Sequence, residues 1–144
     1  MRQLGLLIVF FGMVAGIEAQ TNADESMNLA IEFNKKKDYQ TSATYCISAL
    51  KFDSNHTNAH FLLGYNQYLL ETYRDAVSEF SKTIALNPNH IDAWYYRAKS
   101  KQALKDFVGA FSDFNKAREL NPGQTIFFMA RSWLSSLFSG SDNK

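Results

Sequence analysis

Phe80-Ser81-Lys82-Thr83-Ile84-Ala85-Leu86-Asn87-Pro88 and Phe114-Asn115-Lys116-Ala117-Arg118-Glu119-Leu120-Asn121-Pro122 are the same phrase written twice, 34 residues apart. Phe, Lys, Leu, Asn and Pro coincide when one is laid on the other. A weaker copy lies upstream, where Cys46, Ser48, Ala49, Phe52 and Asp53 fall in register. A fixed period of this length means stacked supersecondary units, each burying its apolar face on a neighbour. It also moves the search for function from catalytic clusters to exposed surfaces.

Written in rows of 34, the chain gives three copies: Ala23–His56, Thr57–His90 and Ile91–Gln124. Small residues recur at Ala30–Gly64–Ala98, Ser42–Ala76–Ala110 and Ala49–Thr83–Ala117. Larger ones recur at Tyr39–Tyr73–Phe107, Cys46–Phe80–Phe114 and Phe52–Leu86–Leu120. Within a row the spacing is helical: Ala110, Phe114 and Ala117 share one face. Small residues opposite large ones let two helices approach and interlock. Each row therefore reads as two antiparallel helices, in the middle row Asn58–Glu71 and Arg74–Leu86. Pro88 and Pro122 follow the second helices, because a ring without an N–H cannot continue the ladder. Asp38, Thr72 and Asp106 precede the second helices and are expected to cap their free amides.

These columns resemble the tetratricopeptide repeat family. The third row carries Trp94, Ala98, Phe107, Ala110, Phe114, Ala117, Leu120 and Pro122 on the signature positions. The middle row keeps Leu63, Gly64, Tyr73, Ala76, Phe80, Leu86 and Pro88 but departs at His60 and Gln67. The first keeps Leu29, Ala30, Phe33, Tyr39, Ala49 and Phe52, with Ser26 and Cys46 at normally bulky columns. The resemblance covers residues 23–124 and implies an all-α, right-handed α-solenoid of three helix-turn-helix repeats. It says little about function, because one fold hosts many partners.

The ends lie outside the repeat. Met1-Arg2, the apolar run Leu4–Ile17 and the small residue Ala19 follow the order of a secretory leader over residues 1–19. The run of 14 residues is short for a membrane span. The expectation is export to the periplasm or the extracellular space, with an uncleaved signal anchor as the alternative. Residues 20–22 form a linker. Over Thr125–Phe138, Ile126, Phe127, Met129, Ala130, Trp133, Leu134, Leu137 and Phe138 occupy one half of a helical wheel, which predicts a capping helix. Its phase differs from that of the repeats. The remaining residues, 139–144, read as a disordered polar tail.

Composition narrows the function classes. The net charge is +1 and the longest basic block is Lys35-Lys36-Lys37, at the end of a first helix, where cations suit the dipole. Nucleic acid is a poor partner on that count. Cys46 is the only cysteine, in a column otherwise Phe80 and Phe114, and reads as a buried thiol. His56 and His60 are four apart but lack a third ligand nearby, so no metal is expected. His90 reads as a solvated loop residue. No phosphate loop, zinc motif or nucleophile elbow is present. The expectation is a non-enzymatic protein without cofactor.

In proteins with this repeat, the first helices line a concave groove that binds peptides or helices. The resemblance assigns that groove to Met27, Asn28, Ile31 and Asn34 in row one. In row two it assigns Phe61, Leu62, Tyr65, Tyr68 and Leu69, and in row three Tyr95, Tyr96, Lys99 and Gln102. Members that hold the acidic C-termini of heat-shock chaperones place Lys, Arg and Asn at set groove columns. Here those columns are Met27, Ile31, Leu62, Asp92 and Tyr96, which supply no cation. The functional expectation is an adaptor or assembly factor for another protein. The alternative is a structural subunit of a larger envelope or surface complex.

Overall fold

The computed structural model describes residues 22–123. Within them the chain is helical: α1 (22–35), α2 (Tyr39–Phe52), α3 (Thr57–Leu69), α4 (Tyr73–Leu86), α5 (Ile91–Ala103) and α6 (Phe107–Leu120). Each of α2 to α5 packs against the next helix, and α3 also touches α5. The expected leader, capping helix and tail lie outside the described residues. No described helix is long and apolar enough to cross a membrane.

Two kinds of turn alternate. Within each repeat, the backbone turns through one residue of positive φ: Lys37 (62°), Glu71 (62°) and Lys105 (65°). The hydrogen bonds repeat with them. Glu71 N–H donates to the Tyr68 carbonyl and Thr72 N–H to the Gln67 carbonyl, and the same pair recurs at Lys37/Asp38 and Lys105/Asp106. This is a Schellman closure, which satisfies the last carbonyls of the helix. The residue completing it also starts the next helix. Asp38 and Asp106 do so as expected, each accepting through Oδ1 from Thr41 N–H and Gly109 N–H. Thr72 departs from the expectation: its Oγ1 donates back to the Gln67 carbonyl and makes no cap.

The small-residue columns are buried throughout. Ala30, Ala98, Ser42, Ala76, Ala49, Thr83 and Ala117 are fully buried, as nearly is Ala110, and Gly64 joins them. A Cβ on Gly64 would stand 3.0 Å from the Phe80 ring, so the close approach of α3 and α4 needs a glycine there. Three apolar clusters result. Ala30, Ala43, Cys46 and Leu63 join α1, α2 and α3, with Met27, Ala49 and Ala59 beside them. Ala76, Phe80, Ile84 and Ala93 join α4 to α5. Cys46 is fully buried, and that burial pushes its thiol up to about 12, which keeps it protonated and inert.

The larger columns are less uniform than the repeat pattern predicts. Phe80 and Cys46 are buried, but Phe52 and Leu86 are exposed at the ends of their helices, and Phe107 is exposed on α6. Steric crowding acts wherever helices touch, whereas a large residue at a helix end needs a neighbour to cover it.

Ala76→Leu or Ala110→Leu is expected to cost about 1–3 kcal/mol, because extra methylenes have no room at either contact. Thermal melts unchanged within error would mean that the register of the helix pairs is wrong.

Candidate interaction face

The first helices lie side by side and form one face of the stack. Asn34 of α1 donates through Nδ2 to Asn66 Oδ1 of α3 at 2.7 Å. Asn66, fully buried, donates through its own Nδ2 to Ser42 Oγ at 2.8 Å, and Ser42 donates to the Ala30 carbonyl at 2.7 Å. This polar relay fixes α1, α2 and α3 together. A buried amide is tolerated only when so paired.

Further along, the face is aromatic. Phe61, Tyr65 and Tyr68 follow one another at helical spacing on α3. Tyr96 of α5 reaches across to them. Its ring centroid lies 4.9 Å from Tyr65, edge-on, and 5.5 Å from Tyr68. Phe61 lies 6.3 Å from Tyr65, 5.9 Å from Phe80 and 4.5 Å from the His90 ring. These rings are partly buried and pack against the Ala76–Phe80–Ile84–Ala93 cluster, so they also hold α3 to α5. Burial raises Tyr68, Tyr95 and Tyr96 above the usual phenol range, so their hydroxyls stay neutral donors.

The structure brings together Phe61, Tyr65, Tyr68 and Tyr96. Leu62 is half-buried against both clusters that join α1, α2 and α3, and Leu69 and Lys99 are half-buried. Ile31, 41% exposed, and the exposed Asn28 and Gln102 flank them on the outer helices. Two residues assigned to the groove sit in the interior instead. Met27 packs on Ala49 and Ala59, and Tyr95 packs edge-on against Phe114 at 5.6 Å. A helix turns about 100° per residue, so neighbouring tyrosines at 95 and 96 face different ways.

Sequence reasoning missed two buried carboxylates in one column, Glu79 and Asp113. Glu79 Oε2 lies 2.7 Å from His60 Nδ1, and its Oε1 accepts from Lys82 at 2.7 Å. Asp113 accepts from Arg97 Nε at 2.8 Å and Nη2 at 2.7 Å, with Lys101 Nζ at 2.8 Å. Arg97 also donates to Ser81 Oγ and lies 4.7 Å from the Trp94 ring. The signal was present, an acid recurring after 34 residues, but acids at helical spacing usually read as a solvated face. His90 is also corrected: it is half-buried, and its Nδ1 caps α5. Among the described residues no group of three or more His, Cys, Asp or Glu side chains is placed to hold a metal.

No family model matches the sequence, and no curated protein matches it. Solved structures do. The first tetratricopeptide domain of Spaghetti (RPAP3), bound to the HSP90 peptide SRMEEVD, superimposes with a TM-score of 0.73 at 18% identity, covering 82% of this chain and 94% of that one. The Arabidopsis OM64 domain gives 0.71 at 15% identity, covering 72% and 86%. YrrB, described as having an unusual peptide-binding site, gives 0.71 at 22% identity, covering 77% of this chain and 57% of its own. The repeated turns, the buried small-residue columns and these superpositions agree that the chain has the tetratricopeptide repeat fold.

Proposed function

We propose that this chain is a non-catalytic interaction module, an adaptor or assembly factor, that holds a segment of another protein against the face of α1, α3 and α5. The observation that carries the reading is the aromatic group Phe61, Tyr65, Tyr68 and Tyr96, packed together yet only partly buried. Rigid aromatic side chains with neutral hydroxyls give large contact area at low entropic cost. Similar folds hold chaperone segments: the first and second domains of Spaghetti are each bound to an HSP90 peptide, and the TPR2B domain of yeast Sti1 is in complex with pHsp70. Here Met27, Ile31, Leu62, Asp92 and Tyr96 offer no cation at the columns a carboxylate clamp would use. The segment therefore presents apolar or aromatic side chains rather than an acidic terminus. On the reading of residues 1–19 as a leader, the partner is met in the periplasm or outside the cell.

A partner recovered by co-purification from the native host and titrated by calorimetry tests this. Ile31→Asp, exposed at the flank of the aromatic group, is expected to leave the melt unchanged and to weaken binding by about 1 kcal/mol or more. Tyr65→Ala is expected to weaken it as much and also to lower stability, since the ring packs on Tyr96. Ser78→Ala and Ser112→Ala, exposed on α4 and α6, are the controls. Unchanged affinity in the first pair, with loss in the second, would reject the face. A second reading, a permanent subunit of a larger complex, draws on the exposed Phe107, Val108 and Phe111 of α6. That reading requires the isolated chain to self-associate.

A further inference from the structure

Two of the chain's three histidines, His56 and His90, are one repeat length apart. Each is the N-cap of a first helix: Nδ1 of His56 accepts from Ala59 N–H, and Nδ1 of His90 from Ala93 N–H, both at 3.2 Å. The junctions they close are built alike, as Asp53-Ser54-Asn55-His56 and Asn87-Pro88-Asn89-His90. In each, the first residue ends the preceding helix and its Oδ1 accepts from the N–H of the third. The histidine N–H then donates to the carbonyl of the first. Helices are usually capped by Asn, Asp, Ser or Thr. Imidazole can substitute because Nδ1 is bonded to Cγ, as Oδ1 of asparagine is. Unlike asparagine, it loses the accepting lone pair when protonated, and the added charge faces the positive end of the helix dipole.

We propose that His90 is an acid-sensitive latch that closes the junction between the second and third repeats at neutral pH and loosens it as the pH falls below neutral; His56 shares its cap geometry at the first junction.

The surroundings of His90 support this. The His90 ring lies against Phe61 of α3, and its charged neighbour is Asp92 on its own helix. Burial lowers the pKa of His90, and Asp92 and a hydrogen bond with its own backbone oppose that more weakly. The unfolded chain therefore binds the proton more readily. The stability that His90 supplies is complete above its unfolded value of about 6.5 and is lost as pH falls through the lower folded value. His60 is placed differently. His60 Nδ1 faces Glu79 Oε2 at 2.7 Å and Nε2 faces the Ser54 carbonyl at 3.0 Å. Both neighbours are acceptors, so neither ring nitrogen of His60 accepts from a helix N–H as the capping histidines do. Because His90 rests on Phe61, release of the second junction also reaches the aromatic face.

The test compares the full chain with His90→Asn, which keeps an accepting cap that cannot titrate. His56 and His60 are common to both and cancel. Near pH ~7.5 the two should unfold within a few degrees of each other. On moving to pH ~5.5 the folding equilibrium constant of the parent should fall by about fivefold more than that of the variant. Independently, ring-nitrogen NMR of the parent near neutrality should find Nδ1 unprotonated and Nε2 protonated in His90. Equal pH slopes, or a proton on Nδ1 at neutrality, would overturn the proposal, and the NMR result decides even if the variant folds poorly.

Discussion

Asp113→Ala is expected to destabilise the fold by about 3–5 kcal/mol, because it leaves two cations without their counter-ion. Asp113 is 2% exposed and holds Arg97 with two hydrogen bonds and Lys101 with a third contact. Lys101 can turn its ammonium toward water, since its side chain keeps 21% exposure. Arg97 is more confined, between Ser81 of α4 and the Trp94 ring. Most of the loss therefore falls on one guanidinium that joins α4, α5 and α6. In a stack of repeats each unit is stabilised by its neighbour, so damage there should appear first as local opening of α5 and α6. Hydrogen exchange should show these helices losing protection before α2 and α3. Replacing both partners, as Arg97→Met with Asp113→Leu, should recover much of the loss, since a well-packed apolar pair can match a buried ion pair. If Asp113→Ala lowered the unfolding free energy measured in urea by less than about 1 kcal/mol, the network would be peripheral.

That network marks the boundary of what the sequence could reveal. Helix positions and small-residue columns were legible because each repeat imposes the same steric demand on Ala30, Gly64 and Ala98, or on Ser42, Ala76 and Ala110. Turns within repeats were not, because the left-handed positions carry Lys37, Glu71 and Lys105 where glycine would have announced them. Nor was the relay of Asn34, Asn66 and Ser42, since each residue alone is unremarkable and only the helix packing brings them together. The candidate face was half legible. The spacing of Phe61, Tyr65 and Tyr68 grouped them correctly, and Tyr96 joined them across the repeat. Burial of Met27 and Tyr95 depends on how each helix is rotated about its axis, which a column of similar residues does not specify.

Phe80→Ala should cost about 3–5 kcal/mol, through lost burial plus the cavity left behind. Phe80 is the largest fully buried side chain among the described residues. Its ring lies 5.9 Å from Phe61 and stacks at 6.1 Å on Tyr96, with the bare backbone of Gly64 on another side. The same contact makes a sign reversal measurable. With Phe80 in place, Gly64→Ala pushes a Cβ to 3.0 Å from a ring that has nowhere to go, and the protein should lose stability despite the better helix former. In the Phe80→Ala background the ring is gone, leaving Glu79 Cβ at 3.2 Å, which a small shift toward the new cavity relieves. Gly64→Ala should then stabilise, by up to ~1 kcal/mol from helix propensity. A double-mutant cycle in urea reads the coupling directly, and additive effects would mean that the two residues do not touch. The consequence extends to the interaction face, because Phe80 supports Phe61 and Tyr96 from beneath. Phe80→Leu should keep much of the stability while letting both rings settle, and so weaken partner binding from a position the partner never contacts. Binding unaffected by Phe80→Leu in a folded protein would mean that recognition does not depend on the geometry of those rings.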